Sequence, residues 1–367
     1  MSASELASGK AARLNAICPY YTMFPLDFPL EVLADATPDT WVLDPFCGRG
    51  TTLYAARLLG LNAVGIDSNP VAVAATAAKL VSVRPDKVAA RADSILQGPR
   101  PRNVPAGPFW ELCFHDEVLA GLGKPRAALM NATSAVDTAL RAVVLGALHG
   151  PRNQGRPSYL SNQMPRTYST KPTAAVRFWE ARGLRPEPVD VVDVLRRHAT
   201  WRYEQTPPVT RGAVVEGEAS DVLRRLRRRF DWVVTSPPYP GMVTYRPDQW
   251  LRNWFVGGSA DVDYGRAGQL GALMGPRFTN ALADVWSAVA NRCNAGAPLA
   301  VRFGALPSTK SGEPEDILAE SLDLSGAWEL LELRSAGTPR DGRRQADQFP
   351  IAGRQVAEVD CLARRRN

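Results

Sequence analysis

No apolar run in the sequence approaches the roughly 20 residues needed to cross a bilayer. Met1 to Lys10 also lack the apolar core of a secretory signal. Both absences lead to the expectation of a cytoplasmic protein with no membrane partner. Cysteine and histidine are sparse and scattered. Cys18, Cys47, Cys113, Cys293 and Cys361 form no Cys-x-x-Cys pair, and His115, His149 and His198 lie far apart. That spacing argues against a disulfide framework and against a structural zinc, so no metal site is expected.

The 367 residues are 45% hydrophobic and 22% charged, which describes a globular chain able to bury a sizeable core in one large domain or two. The net charge is +7, and its placement is uneven: Gln97 to Gly212 holds 16 Lys/Arg and 9 Asp/Glu, and the rest of the chain holds 28 of each. The excess of positive charge in one central segment fits a polyanionic partner.

Apolar patterning separates three stretches. Residues 1–13 read as a mobile leader, and residues 14–36 as a loop running into a short helix. Strand and helix then alternate: a strand over Trp41–Leu43, a helix over Thr51–Leu59, a strand over Ala63–Ile66 and a helix from Pro70, capped by Asn69. A third strand is expected near Val88–Ala92, ending at Asp93. Residues 97–212 break the alternation with a Pro/Gly-rich stretch and a largely helical region. Alternation resumes from Ala219, with strands over Trp232–Val234, Ala297–Phe303, Glu329–Leu333 and Gln355–Leu362. The pattern predicts a doubly wound α/β domain with a mostly parallel sheet, its halves at residues 1–96 and 213–367, interrupted by an inserted module at 97–212.

Two strand ends carry the chemistry. The first strand runs into Asp44-Pro-Phe-Cys-Gly-Arg-Gly-Thr-Thr52. Gly48 and Gly50 allow a tight turn at a helix start, where free backbone N–H groups can meet a ligand. The turn has neither the lysine of a phosphate-binding loop nor the regular Gly-x-Gly-x-x-Gly of a dinucleotide site. It offers a carboxylate, Asp44, which repels a pyrophosphate and suits an amino-acid ammonium. Asp67 closes the second strand, where a carboxylate can accept hydrogen bonds from ribose hydroxyls; capping the next helix with Asn69 is the alternative. Asp93, at the expected third strand end, would meet an adenine amine. The second motif, Thr235-Ser-Pro-Pro-Tyr239, follows the strand at Trp232–Val234. Ser236 Oγ and the Pro237 carbonyl can accept from an amine, Pro238 stiffens the turn, and Tyr239 offers a ring for an unstacked base.

Together these motifs resemble the S-adenosylmethionine-dependent DNA amino-methyltransferases, which methylate N4 of cytosine or N6 of adenine. The resemblance is strongest at Asp44–Thr52 and Thr235–Tyr239. It implies a seven-stranded Rossmann-like methyltransferase sheet, S-adenosyl-L-methionine as cofactor and double-stranded DNA as substrate. It also implies a cofactor site built from Thr22, Asp44, Phe46, Cys47, Gly48, Gly50, Thr51, Asp67, Ser68 and Asp93, with Thr22 in a loosely matching segment, Tyr21–Pro25. The catalytic group is Ser236, Pro237, Pro238 and Tyr239; a serine at its head is usually associated with N4 of cytosine.

The insertion then becomes the target-recognition module. Arg152, Arg156, Arg166 and Lys171 suit phosphates and guanine edges, Asn162 and Gln163 suit adenine edges, and Tyr245 follows the catalytic motif. Any solvated loop could show the same mixture. Adenine-N6 transfer, tRNA guanine-N2 transfer and DNA binding without catalysis stand as alternatives. A restriction endonuclease or wider defence system is a possible partner.

Overall fold

The computed structural model describes residues 3–19, 24–99, 101, 104–150, 155–164, 171–242, 245–265, 269–304, 312–336 and 358–367. Seven strands form one sheet: β1 Trp41–Asp44, β2 Asn62–Asp67, β3 Gly212–Glu216, β4 Trp232–Thr235, β5 Pro298–Gly304, β6 Trp328–Ser335 and β7 Glu358–Arg365. Their order is β3-β2-β1-β4-β5-β7-β6. The first five strands are parallel, and β7 runs antiparallel to both β5 and β6. This is the doubly wound, mostly parallel α/β sheet that the sequence pattern predicts.

The order of the strands fixes where a ligand can bind. From β1 the chain builds outward through β2 to β3, then returns to β4 on the other side of β1. The carboxyl ends of β1 and β4 therefore flank a switch point, the crevice where doubly wound sheets bind ligands. Val42 pairs with Trp232 and Leu43 with Val233, so the glycine turn and the Ser-Pro-Pro-Tyr turn leave neighbouring strands at the same edge.

Two expectations need correction. Val88–Ala92 is no strand but part of a helix, Pro85–Leu96. Its buried residues, Val88, Ala92 and Ile95, recur at helical spacing, and Pro85 fits the first turn. The third strand is β3, which lies beyond the insertion and pairs with β2 from Ala63↔Gly212 to Asp67↔Glu216. The residues expected to form a mobile leader also fold, into helices Ala3–Ser8 and Ala12–Asn15. Leu6, Ala11 and Leu14 are buried there. The Tyr54 hydroxyl donates to the Ala11 carbonyl, and Lys79 Nζ donates to Asn15 Oδ1 at 2.7 Å.

The insertion thickens one face of the sheet. Its helices Asp116–Ala128, Ala135–Ala147, Pro172–Glu180 and Val191–Arg202 share one buried cluster with Tyr54, Ala74, Ala75 and Ala78 beside the sheet. Helix Pro85–Leu96, ahead of the expected boundary at 96 and 97, packs against Asp116–Ala128, Ala135–Ala147 and Val191–Arg202. The helical layer therefore begins at Pro85. The opposite face is a second cluster, in which helices Pro276–Ala290 and Pro314–Ser325 cover β4, β5 and β7. Among the described residues, no helix is long and apolar enough to cross a membrane, and no group of acids, histidines and cysteines could hold a metal ion.

Candidate active site

β1 ends in Asp44, and the backbone then folds back through two left-handed glycines, Gly48 at φ 49° and Gly50 at φ 79°. A Cβ at Gly50 would lie 2.6 Å from the Thr76 side chain, so the tight packing of turn on helix requires glycine there. Thr76 Oγ1 donates to the Gly48 carbonyl at 3.0 Å and pins the turn to helix Pro70–Leu80. Helix Thr51–Leu58 starts directly after Gly50.

Asp67 holds this turn from the next strand. Its Oδ2 accepts from Gly48 N at 2.9 Å and its Oδ1 from Asn69 N at 2.8 Å. The Asn69 side chain in turn caps helix Pro70–Leu80 through Val71 N. Asp67 thus orders the turn and still lines the pocket, because a carboxylate has about four acceptor sites. Burial pushes its pKa up to about 6, and Glu218 and Glu216 push the same way.

Asp44 joins the two motifs. Its Oδ1 accepts from Thr235 Oγ1 at 2.6 Å and from Phe46 N at 3.1 Å. Thr52 Oγ1 donates to the Val234 carbonyl at 3.1 Å, so each motif is tied to the other's strand. Asp44 Oδ2 is buried and has no hydrogen-bond partner. Burial pushes this carboxyl up to about 6. A buried carboxylate with a free oxygen is costly until a cation or donor reaches it.

Both motifs open onto one pocket. Phe46, Cys47, Gly48, Thr51, Asp67 and Ser68 line it from the cofactor side, and Ser236, Pro237, Pro238 and Tyr239 from the other. The Tyr239 hydroxyl donates to Glu358 Oε1 at 2.9 Å, and its ring meets Phe303 edge-on at 5.7 Å. A loop containing Gln269, Leu270 and Gly271 closes the far side. A Cβ at Gly271 would come within 2.9 Å of the Met242 carbonyl, so only glycine allows this loop so near the proline turn.

Other expected residues sit elsewhere. Asp44 and Gly50 lie behind the pocket wall rather than in it. Asp93 is exposed on helix Pro85–Leu96 and bonds Gln97, so it does not belong to the site. Its expected place, the acid after the third strand, is taken by Glu218, which lines the pocket between Gly217 and Ala219. The string Val214-Val-Glu-Gly-Glu218 was the available signal: a short apolar step, a glycine, then an acid at a helix start. Arg49 and Asn69 also line the pocket and were missed.

The expected DNA-reading residues divide. Arg152 and Arg166 lie outside the described residues, as do Thr22, expected on the cofactor side, and the side chain of Tyr245, whose backbone opens helix Tyr245–Asp248. Arg156 is exposed, 3.9 Å from Asp193. Lys171 is exposed, with its ammonium 5.7 Å from the centre of the Tyr264 ring. Gln163 is half-buried, and its carbonyl accepts from Trp179 Nε1. Asn162 turns its amide toward backbone groups of the fold. It is buried, its Nδ2 donates to the Leu112 carbonyl at 2.9 Å, its backbone N–H donates to the Cys113 carbonyl, and its Oδ1 accepts from Gln163 N. Its role is to anchor the loop to helix Pro108–Cys113.

An Asp67→Asn variant should bind S-adenosylmethionine about 30-fold more weakly, since one charge-assisted acceptor is lost. Isothermal calorimetry reads this directly, and unchanged affinity would remove Asp67 from the site.

Among solved structures, the rRNA methyltransferase aviRa from Streptomyces viridochromogenes is similar to this chain at 15% identity, covering 99% of this chain and 93% of its own, with a TM-score of 0.38. TehB from Haemophilus influenzae is similar at 11% identity, covering 92% of this chain and 61% of its own, with a TM-score of 0.33. TrmN from Thermus thermophilus is similar at 10% identity, covering 98% of this chain and 53% of its own, with a TM-score of 0.35. No curated protein matches the chain. The DNA methylase family model, which covers N6 and N4 methylases, matches residues 6–79, so the stretch that carries β1, the glycine turn, β2 and Asp67 has the family likeness its motifs imply.

Proposed function

We propose that this chain transfers a methyl group from S-adenosylmethionine to an exocyclic amine of a DNA base, with N4 of cytosine as the favoured target. One observation carries the reading: a single pocket at the switch point takes one wall from the glycine turn and the other from Ser236-Pro-Pro-Tyr239. A cofactor turn and an amine-accepting turn across one cleft are what transfer between two bound molecules requires.

The residues present fit the cofactor. Asp44 would take the methionine ammonium on its unpartnered Oδ2. Asp67 would accept from the ribose hydroxyls, and Glu218 from the adenine amine. Bound there, S-adenosylmethionine supplies a methyl on a sulfonium, which needs no further activation.

The chain's own task is to make a poor nucleophile attack. The lone pair of a base's exocyclic amine is delocalised into the ring. Ser236 Oγ and the Pro237 carbonyl accept its two N–H bonds and draw the nitrogen toward tetrahedral geometry. Pro237 and Pro238 restrict the backbone on both sides of this carbonyl and hold it in a stiff turn. Tyr239 is 8% exposed, so a base reaching it must leave its stack. The tie from Tyr239 to Glu358 fixes the ring against β7.

The choice of DNA is supported by the DNA methylase match and by the positive charge concentrated in residues 97–212. The helical layer carrying that charge acts, in this reading, as the target-recognition module. The test is to incubate the protein with unmethylated genomic DNA and labelled S-adenosylmethionine, digest to nucleosides and separate them by mass spectrometry. N4-methylcytosine is expected. N6-methyladenine would overturn the use of Ser236 to choose the base, and no label in DNA would overturn DNA as substrate.

A further inference from the structure

We propose that Arg49 holds the carboxylate of the cofactor's methionine, so that the turn from Asp44 to Arg49 recognises both charges of an α-amino acid. The proposal rests on the S-adenosylmethionine reading and deepens it.

Arg49 lies between the two left-handed glycines and lines the pocket, yet it is only 5% exposed. Its one hydrogen bond among the described residues is long, from Nη1 to the Cys18 carbonyl at 3.4 Å, and its buried Nε has no partner. Among the described residues, no carboxylate pairs with it. The cations near it, Arg202 and buried Lys79, repel it, and the Cys18 thiol, pushed up by burial, is neutral. Residues 20–23, which follow Cys18 closely, contain no acid. Burial lowers its pKa only to about 9, so it stays charged at neutral pH. A buried, unpaired guanidinium costs several kcal/mol, and buried charges are normally paired. What the site lacks is an anion.

The same turn has the mirror deficiency at its other end. Asp44 is a buried carboxylate with an unpartnered Oδ2, and no cation is among the largest influences on it. Among the described residues, no ion pair joins Asp44 to Arg49. An amino-acid head brings an ammonium and a carboxylate on adjacent atoms, and would satisfy both. A polyphosphate would relieve Arg49 but would face Asp67 and Glu218 on the pocket wall, with Asp44 just behind it, so the charge around the pocket favours a zwitterion.

Calorimetry with two ligands tests this. S-adenosylhomocysteine carries the amino-acid head, and 5′-methylthioadenosine lacks it. Arg49→Gln should weaken S-adenosylhomocysteine about 30-fold and leave 5′-methylthioadenosine within twofold, and Arg49→Lys should recover part of the loss. Unchanged S-adenosylhomocysteine affinity would overturn the proposal. Equal weakening of both ligands would also overturn it, because Arg49 would then shape the turn rather than hold the head. A wild-type chain that binds neither ligand would refute the cofactor reading itself, and is distinct from both results.

Discussion

Tyr239→Ala should lower kcat by at least about 10³-fold while leaving S-adenosylhomocysteine affinity within about threefold. Base stacking on an aromatic ring contributes about 1–3 kcal/mol. A misplaced amine costs about a further hundredfold in rate, because the lone pair no longer points at the methyl. In the proposed reaction Tyr239 supplies both effects: its ring lines the pocket, and two contacts fix the ring's angle, the edge-on packing against Phe303 and the hydroxyl bond to Glu358. The alanine variant also leaves a cavity, which costs about 3–5 kcal/mol for a large aromatic. Tyr239→Phe separates these effects. It keeps the ring and its packing but loses the tie to Glu358, and should reduce kcat only about tenfold. Single-turnover transfer, calorimetry and a melting curve for each variant resolve the three contributions. Wild-type kcat in Tyr239→Ala would refute the stacking role. Loss of S-adenosylhomocysteine binding in a folded Tyr239→Ala would make the residue part of the cofactor wall instead.

The two motifs were legible in the sequence because each ends a buried strand, where apolar runs stop abruptly at residues with special backbone demands. Asp44 stands directly at the first of those stops, and Asp67 at the like end of β2. The third acid was only weakly marked, because β3 is an edge strand. Gly212 to Glu216 has no buried residue, and the two valines Val214 and Val215 are its whole apolar signal. Its existence depends on pairing with β2 across a separation of more than a hundred residues, which local hydropathy cannot report. The competing segment, Val88 to Ala92, did carry an apolar signal, but Ile95 completes a helical period rather than an alternating one. Asn162 shows a different limit. Its amide chemistry is equally suited to a base edge or a carbonyl, and the Leu112 carbonyl sits within reach in the fold. The leader helices escaped notice because they are short. Burial of Leu6, Ala11 and Leu14 against the rest of the chain, rather than intrinsic propensity, accounts for them.

Asp44→Asn should stabilise the ligand-free chain at pH 8 and yet weaken S-adenosylhomocysteine binding about a hundredfold. Asp44 has a folded pKa of about 6 against an ordinary 3.8, raised by burial. Between those values the folded chain binds a proton that the unfolded chain has released. Its contribution to stability therefore falls as pH rises through that window, and above about 6 the ionised carboxylate is a net cost. The cost is on the order of 1–3 kcal/mol. Asparagine keeps an acceptor for Thr235 and Phe46 and removes the buried charge, at the lesser cost of one unpaired neutral group. Its melting temperature at pH 8 should therefore exceed the wild type's by a few degrees. The gap should shrink as pH falls toward 4, where wild-type Asp44 is neutral when folded. Asp67, also raised to about 6, titrates in both proteins, so the difference between the two melting profiles reports the Asp44 charge together with its repulsion of Asp67. Saturating S-adenosylhomocysteine should reverse the order, because the ligand's ammonium rewards only the ionised carboxylate. A ligand-free Asp44→Asn less stable than wild type at pH 8 would mean that Thr235 and Phe46 already satisfy the charge. Unchanged affinity would remove Asp44 from the cofactor site.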